Sequence, residues 1–229
     1  MNRAGWAAIA LACVLAGCVR TSDGVPVAGQ QPATATSSAP SATMRPSEEA
    51  DLTAPGVVPT TRAPVAPDTV ACAQAIKAPV RMTAQVEDPQ APTITVGVPD
   101  GWSMTSGSGD VGGRLAGPRG MEATVTIAQT QLDPSAAFRK YADDLMAESA
   151  VSSVSILPGE LCGFSGQKLM GAWSDTPQNA VEFVDRIAHI WTNSGSSYLV
   201  AVHVQAATGT PGFEAAADVL TEDFEIGLP

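Results

Sequence analysis

The aromatic residues of this chain lie almost entirely in its C-terminal part, and this constrains the fold more than any other feature. Apart from Trp6, no aromatic residue precedes Trp102 in the 229 residues. Aromatic side chains bury the largest areas in protein cores, about 150–250 Å² each. The packed core must therefore form mainly from the C-terminal part of the chain.

The segment Val19–Val70 has the composition of a disordered chain. It contains eight Pro, nine Ala, eight Thr and five Ser, and no Phe, Trp or Tyr. Such a segment cannot bury enough apolar surface to offset the conformational entropy that ordering removes. We therefore predict a disordered tether over residues 18–70 and a single domain over residues 71–229, which is long enough to bury a core of its own.

The N-terminus has the pattern of an export signal. Arg3 is followed by an apolar run over Ala4–Ala16, which is too short to span a membrane as a helix. We predict a signal peptide over residues 1–17. The run ends in Leu15-Ala16-Gly17-Cys18, which resembles the lipobox of bacterial lipoproteins. The resemblance implies that Cys18 carries a diacylglycerol group and becomes the first residue after cleavage.

A lipid on Cys18 would determine where the protein resides. Two or three acyl chains hold a protein stably on a bilayer, whereas a single chain binds only marginally. We therefore expect the membrane to be a partner of this chain through an N-terminal lipid anchor. The domain would then stand on the outer leaflet of the cell membrane and face the cell wall or the exterior.

The four cysteines divide by position. Cys13 leaves with the signal peptide and Cys18 takes the lipid, so Cys72 and Cys162 remain in an exported, oxidising compartment. We predict a disulfide bond between them. The alternative is a reactive or metal-binding pair, but neither cysteine lies in a C-x-x-C pair and no histidine is near either in sequence.

The charge of the chain disfavours anionic partners. Lys and Arg number 12 against 23 Asp and Glu, and the predicted domain alone carries 18 acidic and 8 basic residues. Nucleic acid binding depends on neutralising phosphates with basic side chains. We therefore exclude nucleic acid as a partner.

The hydrophobic pattern of the domain predicts strands and two helices. Thr93–Val98 alternates as a half-buried strand does, and Asp133-Pro134 has the cap and first residue of a helix. A mostly antiparallel sheet packed with two helices, an α+β fold, is the consequence. The other predicted strands are Met121–Gln131, Val151–Leu157, Phe164–Trp173, Val181–Thr192 and Ser197–Ala206, and a second helix opens at Thr210-Pro211.

The order of these elements resembles a known family. Pro92-Thr93-Ile94 and above all Val98-Pro99-Asp100-Gly101-Trp102, together with the lipobox and the Pro/Thr/Ala-rich tether, resemble the LpqN/LpqT family of actinobacterial lipoproteins. The resemblance covers residues 92–226. It implies a PsbP-like α+β sandwich on the cell envelope, with no agreed catalytic residues to carry over. The pair Cys72 and Cys162 has no match in the family pattern.

Motifs that could carry chemistry have simpler explanations. Gly107–Gly112 satisfies G-x-G-x-x-G, but no helix follows it, so a hairpin loop is predicted and no cofactor is expected. His189 and His203 lie on the two strands of one predicted hairpin. A two-residue loop would place His189 opposite Val200 and His203 opposite Arg186, on different surfaces. We therefore predict neither a metal site nor catalytic residues.

Three aromatic residues could line a ligand groove between helix and sheet. These are Trp102, Trp191 and Tyr198. Packing in the core is the favoured interpretation, and the groove is the alternative.

Two functional hypotheses remain, and the first is the better supported. It is a non-enzymatic binding or adaptor domain, presented on a tether to a protein or another envelope component. The second is a carrier of small molecules or lipids, or an envelope hydrolase with an unrecognised site. The sequence leaves the partner and the oligomeric state open.

Overall fold

The structure of the protein, a computed structural model, describes residues 56–61, 65–66, 69–72, 78–176, 179–222 and 224–229. The predicted signal peptide, Cys18 and the tether before residue 56 lie outside these ranges. The described residues form two antiparallel sheets and two α-helices, which confirms the α+β prediction. In chain order the elements are β1 Val70–Cys72, β2 Arg81–Ala84, β3 Thr93–Gly97, β4 Ser103–Ser106, β5 Val111–Ala116, a 3-10 turn Pro118–Gly120, β6 Glu122–Thr130, α1 Pro134–Met146, β7 Val151–Leu161, β8 Phe164–Ser174, β9 Val181–Trp191, β10 Ser197–Ala207, α2 Phe213–Thr221 and β11 Glu225–Gly227.

The two sheets pack face to face. The smaller has the order β1-β11-β3-β2, and the larger has the order β4-β5-β6-β10-β9-β8-β7. Ile94 and Val96 of the small sheet share one core with Val125 and Val200 of the large sheet, and all four are completely buried. Leu220 of α2 belongs to the same core.

The opposite face of the large sheet is covered by α1. Because side chains alternate along a strand, Ala201 of β10 points away from Val200 and joins Ile187, Phe138 and Ala142 in a second core. The large sheet is therefore buried on both faces over its central strands.

The residue before each helix determines where the helix begins. Asp133 caps α1, since its Oδ1 accepts a hydrogen bond from the Ala136 amide at 2.9 Å, and Pro134 is the first helical residue, as predicted. The second helix starts later than Thr210-Pro211. Gly212 precedes it with φ of 86°, a left-handed conformation that glycine adopts without strain, and the helix begins at Phe213.

The β7–β8 hairpin is longer than the sequence predicts. The prediction ended β7 at Leu157, whereas the strand continues through Pro158 and Gly159 to Leu161. The turn is Cys162-Gly163, with φ of 52° and 85°. Two positive φ values are those of a type I′ turn, whose twist matches the strands it joins.

A disulfide bond joins Cys162 in this turn to Cys72 in β1, as predicted, with a Cα–Cα distance of 5.4 Å. It ties an edge strand of the small sheet to the tip of a hairpin in the large sheet. The two cysteines are 90 positions apart in sequence, and the chain between them includes β2 and β3 of the small sheet and α1.

The β9–β10 hairpin corrects the predicted register. The loop has five residues, 192–196, so His189 lies opposite Leu199 and His203 lies opposite Asp185. The predicted pairs, with Val200 and Arg186, are therefore wrong by one residue, and a one-residue shift exchanges the faces of every side chain. Both histidines are on the face that α1 covers, about 13 Å apart along the strand.

Some residues before the predicted domain boundary pack on the domain. Val57 packs against the core under α1, and Val65 packs against the core between the sheets. These two valines therefore add apolar side chains to the domain from within the segment predicted as a tether. Neither helix in the described ranges is long and apolar enough to cross a bilayer.

Removal of the disulfide should destabilise the domain. Closing a loop of 90 residues restricts the unfolded chain, and the expected loss on opening it is about 4 kcal/mol in the free energy of unfolding. Urea unfolding of the oxidised and reduced protein measures this difference. The variant Cys72→Ala with Cys162→Asn serves as a second measurement, because Asn tolerates the positive φ at position 162. A change below about 0.5 kcal/mol would contradict the expectation.

Candidate functional site

A buried ion pair lies beneath α1. Asp185 of β9 is completely buried, and its Oδ1 is 2.5 Å from Nδ1 of His203 on β10, with the two residues directly opposite in the ladder. The side chain of His203 is 20 % exposed, so the imidazole lies at the border between the core and solvent.

Both imidazole nitrogens of His203 are engaged. Nε2 is 3.2 Å from Oε1 of Gln205, and Nε2 of Gln205 donates to Oε2 of Glu122 on β6 at 3.3 Å. The Trp173 ring stacks on the imidazole, with centroids 5.7 Å apart and an interplanar angle of 7°. The histidine is therefore held in one orientation by three neighbouring strands.

Burial and charge shift the pKa values of this cluster. Burial raises the pKa of the Asp185 carboxyl, and the hydrogen bond with His203 counteracts part of that effect. Burial by itself lowers the pKa of His203, but the hydrogen bond and charge of Asp185 outweigh it and raise the pKa above the usual 6.5. Tyr141 of α1 lies close to the same carboxylate, and its pKa is raised well above 10 by burial and by that negative charge.

This arrangement orients a histidine without giving it a reaction partner. A general base needs a ring nitrogen directed at the proton that it abstracts, and Nε2 of His203 is directed at the Gln205 amide. The described part of the chain also places no group of three or more His, Cys, Asp or Glu side chains where they could hold a metal ion. The sequence analysis did not single out Asp185 as a site residue. Shifting the predicted hairpin register by one residue would have placed it opposite His203.

The three aromatic residues of the predicted groove do not come together. Trp102 packs over Gly117, whose Cβ, if it had one, would lie 2.4 Å from the indole ring. Gly117 directly follows β5, whose last residue pairs with Glu122 at the start of β6. Tyr198 instead pairs with Gln129, near the end of β6. Seven residues of strand, roughly 20 Å, therefore separate Trp102 from Tyr198.

Trp191 and Tyr198 lie at the same end of the large sheet as parts of the core. Trp191 contacts Phe164, with ring centroids 5.6 Å apart. Tyr198 is 1 % exposed, and its hydroxyl donates to Oδ2 of Asp88 at 2.7 Å. Burial, together with the charge of Asp88, raises the pKa of Tyr198 to about 12. Asp88 also lines an open surface pocket of about 390 Å³ formed by the loop 85–93 and residues 227–229.

The edge of the large sheet at β7 exposes apolar side chains. Val151, Ile156 and Leu157 are 68 %, 41 % and 51 % exposed, on an eleven-residue strand that, among the residues the structure describes, pairs only with β8. The strand at the other edge, β4, has four residues. Natural proteins usually keep edge strands short or charged, because unpaired backbone groups bind other strands.

The C-terminal half of β7 is closed to such pairing. Proline is tolerated in an edge strand where its missing N–H would face outward. Pro158 therefore indicates that the backbone N–H and C=O groups of the even-numbered residues of β7 point away from β8. The carbonyl of Glu160, also even-numbered, accepts a hydrogen bond from Nη2 of Arg186 at 3.2 Å, and a Cβ at Gly159, if it had one, would lie 3.6 Å from Nη1 of the same guanidinium. The open part of the edge is therefore 151–157.

Comparison with known proteins identifies the fold. No family model matches the sequence, and a search of curated proteins finds no match. Among solved structures, a crystal structure of LpqN from Mycobacterium tuberculosis, described as involved in cell envelope biogenesis, matches with a TM-score of 0.52 and 21 % identity over 66 % of this chain and 91 % of that chain. This chain has the LpqN fold, in agreement with the resemblance found in the sequence. A solution structure of PsbP from the cyanobacterium Synechocystis matches with a TM-score of 0.41 and 12 % identity over 67 % of this chain and 96 % of that chain.

The ion pair predicts a dependence of stability on pH. Since the pKa of His203 is raised above 6.5, its contribution to the free energy of unfolding is complete below that pH and is lost as the pH rises through the raised value. His203→Gln should therefore flatten the fall in stability as the pH rises above about 6.5. Urea unfolding across this range measures it, and an identical pH profile in wild type and variant would contradict the pairing.

Asp185→Asn provides a second measurement at the same pair. Breaking a buried pair from one side costs about 3 kcal/mol, and the pKa of His203 should fall toward or below its usual 6.5. The Cε1–H chemical shift of His203, followed by NMR, reports that pKa. An unchanged midpoint would show that Asp185 does not control His203.

Proposed function

We propose that this chain is a lipid-anchored protein of the cell envelope whose domain binds an extended segment of a partner protein at the open part of β7. The fold it shares with LpqN and the lipobox-like sequence at Cys18 support the location. The observation that carries the binding role is the long edge strand with three exposed apolar side chains.

The chemistry of the edge defines the partner. An incoming strand would bond to the unpaired backbone groups of 151–157, a mode of recognition that many peptide-binding domains use. The exposed side chains of Val151, Ile156 and Leu157 favour a segment that presents apolar side chains of its own. The basic side chains beside Leu157 are already engaged, since Lys168 pairs with Asp218 at 3.4 Å and Arg186 donates to the Glu160 carbonyl.

A substitution on the edge should remove partner binding without harming the fold. A photo-crosslinking amino acid at Ser153 in the anchored protein should capture its partner, and Ile156→Lys should abolish most of that capture, because a lysine on an edge strand opposes strand addition. The matched control is Val219→Lys on α2, where the side chain is also 41 % exposed. Crosslinking that survives Ile156→Lys, or fails equally in both variants, would exclude the edge as the binding site.

The same experiment distinguishes a second copy of this chain from another protein. Mass spectrometry of the crosslinked species identifies the attached chain. Self-capture together with a dimer in analytical ultracentrifugation would mean that β7 pairs with β7 of another copy and that no partner protein is needed there.

The anchor is tested separately. Cys18→Ala should block lipid attachment and move the protein from the membrane fraction to the soluble fraction, since nothing else in the proposal holds it on the bilayer. Metabolic labelling with a palmitate analogue, followed by fractionation, measures both effects. Unchanged labelling or an unchanged membrane fraction in Cys18→Ala would contradict the anchor.

A further inference from the structure

Residues 56–61 lie across β8 on the α1 side of the large sheet, and two side chains of β8 hold them. Nε2 of Gln167 donates to the Gly56 carbonyl, and Oγ of Ser165 donates to the Val58 carbonyl at 2.6 Å. Oγ1 of Thr60 is 3.4 Å from the same Ser165 hydroxyl. Alternate carbonyls of an extended chain point to one side. The groove lined by Ser165 and Gln167 therefore binds the backbone of the segment rather than its side chains.

The groove is built from buried polar groups. Ser165 and Gln167 are 3 % and 4 % exposed, and polar side chains at such depth are normally satisfied by hydrogen bonds. Their donor groups are satisfied by residues 56–61. The half-buried Val57 side chain packs against the core under α1, which includes Phe138 and Leu169, so the groove adds an apolar contact for one branched side chain.

One group in the groove is left over. Oε1 of Gln167 is buried and accepts no hydrogen bond from any residue that the structure describes. Residues 56–61 therefore leave one hydrogen-bond acceptor of the groove without a donor. An extended chain that brings an N–H to this oxygen would gain a hydrogen bond that residues 56–61 do not make.

We propose that this groove is a binding site for an extended segment of a partner protein, of the type branched apolar residue, then any residue, then proline, and that residues 56–61 occupy it in cis until such a segment displaces them. The Val58-Pro59 sequence suits this, because the residue before a proline is restricted to extended conformations. Ser165 and Gln167 lie opposite Glu160 and Pro158, the closed half of β7. The site is thus separate from the open edge, and either proposal can fail alone.

The test uses the chain from residue 19 onward, which lacks the predicted signal peptide and Cys18, and a fluorescent peptide of residues 55–62. In wild type the peptide competes with a cis segment at high effective concentration, so it should bind weakly. Val57→Asp places a charge where the core accepts an apolar side chain, which releases the cis segment. Fluorescence anisotropy should then show binding at least about tenfold tighter than in wild type.

Two controls define the site. Val70→Asp changes an exposed valine elsewhere on the domain and should bind the peptide as weakly as wild type does. Adding Ser165→Ala and Gln167→Leu to Val57→Asp should remove the gain, because both donors to the peptide backbone are lost. Equal binding by Val57→Asp and wild type, or a gain that survives loss of both donors, would overturn the proposal.

If Val57→Asp does not fold, an NMR titration of the wild-type chain with the same peptide tests whether the groove binds it. Millimolar peptide should shift the amide signals of Ser165 and Gln167 and narrow those of Val57 and Val58 as the cis segment leaves the groove. Shifts elsewhere, or none, would likewise overturn the proposal.

Discussion

The structure depends on one sheet that is buried on both of its faces. Because side chains alternate along β10, Val200 and Val202 face the small sheet and α2, while Leu199 and Ala201 face α1. Packing thus occupies the faces of the large sheet, and the disulfide fixes the small sheet against the tip of the β7–β8 hairpin. What remains for recognition is the margin of the sheet, where β7 pairs with β8 alone among the described strands and where Ser165 and Gln167 bind residues 56–61.

Much of this architecture could be predicted from local patterns. The cap at Asp133, the alternation of Thr93–Val98 and the elimination that left Cys72 and Cys162 each rest on residues near in sequence or on simple counting. The length of β7 could not be predicted in this way, because Pro158-Gly159 signals a turn in any sequence. In the structure both residues are accommodated by the edge, where a missing N–H and a missing side chain cost little.

The polar site was out of reach for a different reason. The pairing of Asp185 with His203 depends on a five-residue loop, and assuming a two-residue loop moves each histidine to the wrong partner. To decide whether Trp102, Trp191 and Tyr198 line one groove requires knowing which ends of the strands are neighbours, and periodicity does not reveal this. Both features depend on long-range register rather than on composition.

The open edge of β7 is the feature on which the proposed function depends, and residue-resolved amide hydrogen exchange of the free protein tests it most directly. If even-numbered residues face outward over the open half, the amides of Ser152, Val154 and Ile156 should exchange orders of magnitude faster than those of Ser153 and Ser155, which bond to β8. Equal protection of the two sets would mean that the edge is covered, and it would contradict strand addition at β7.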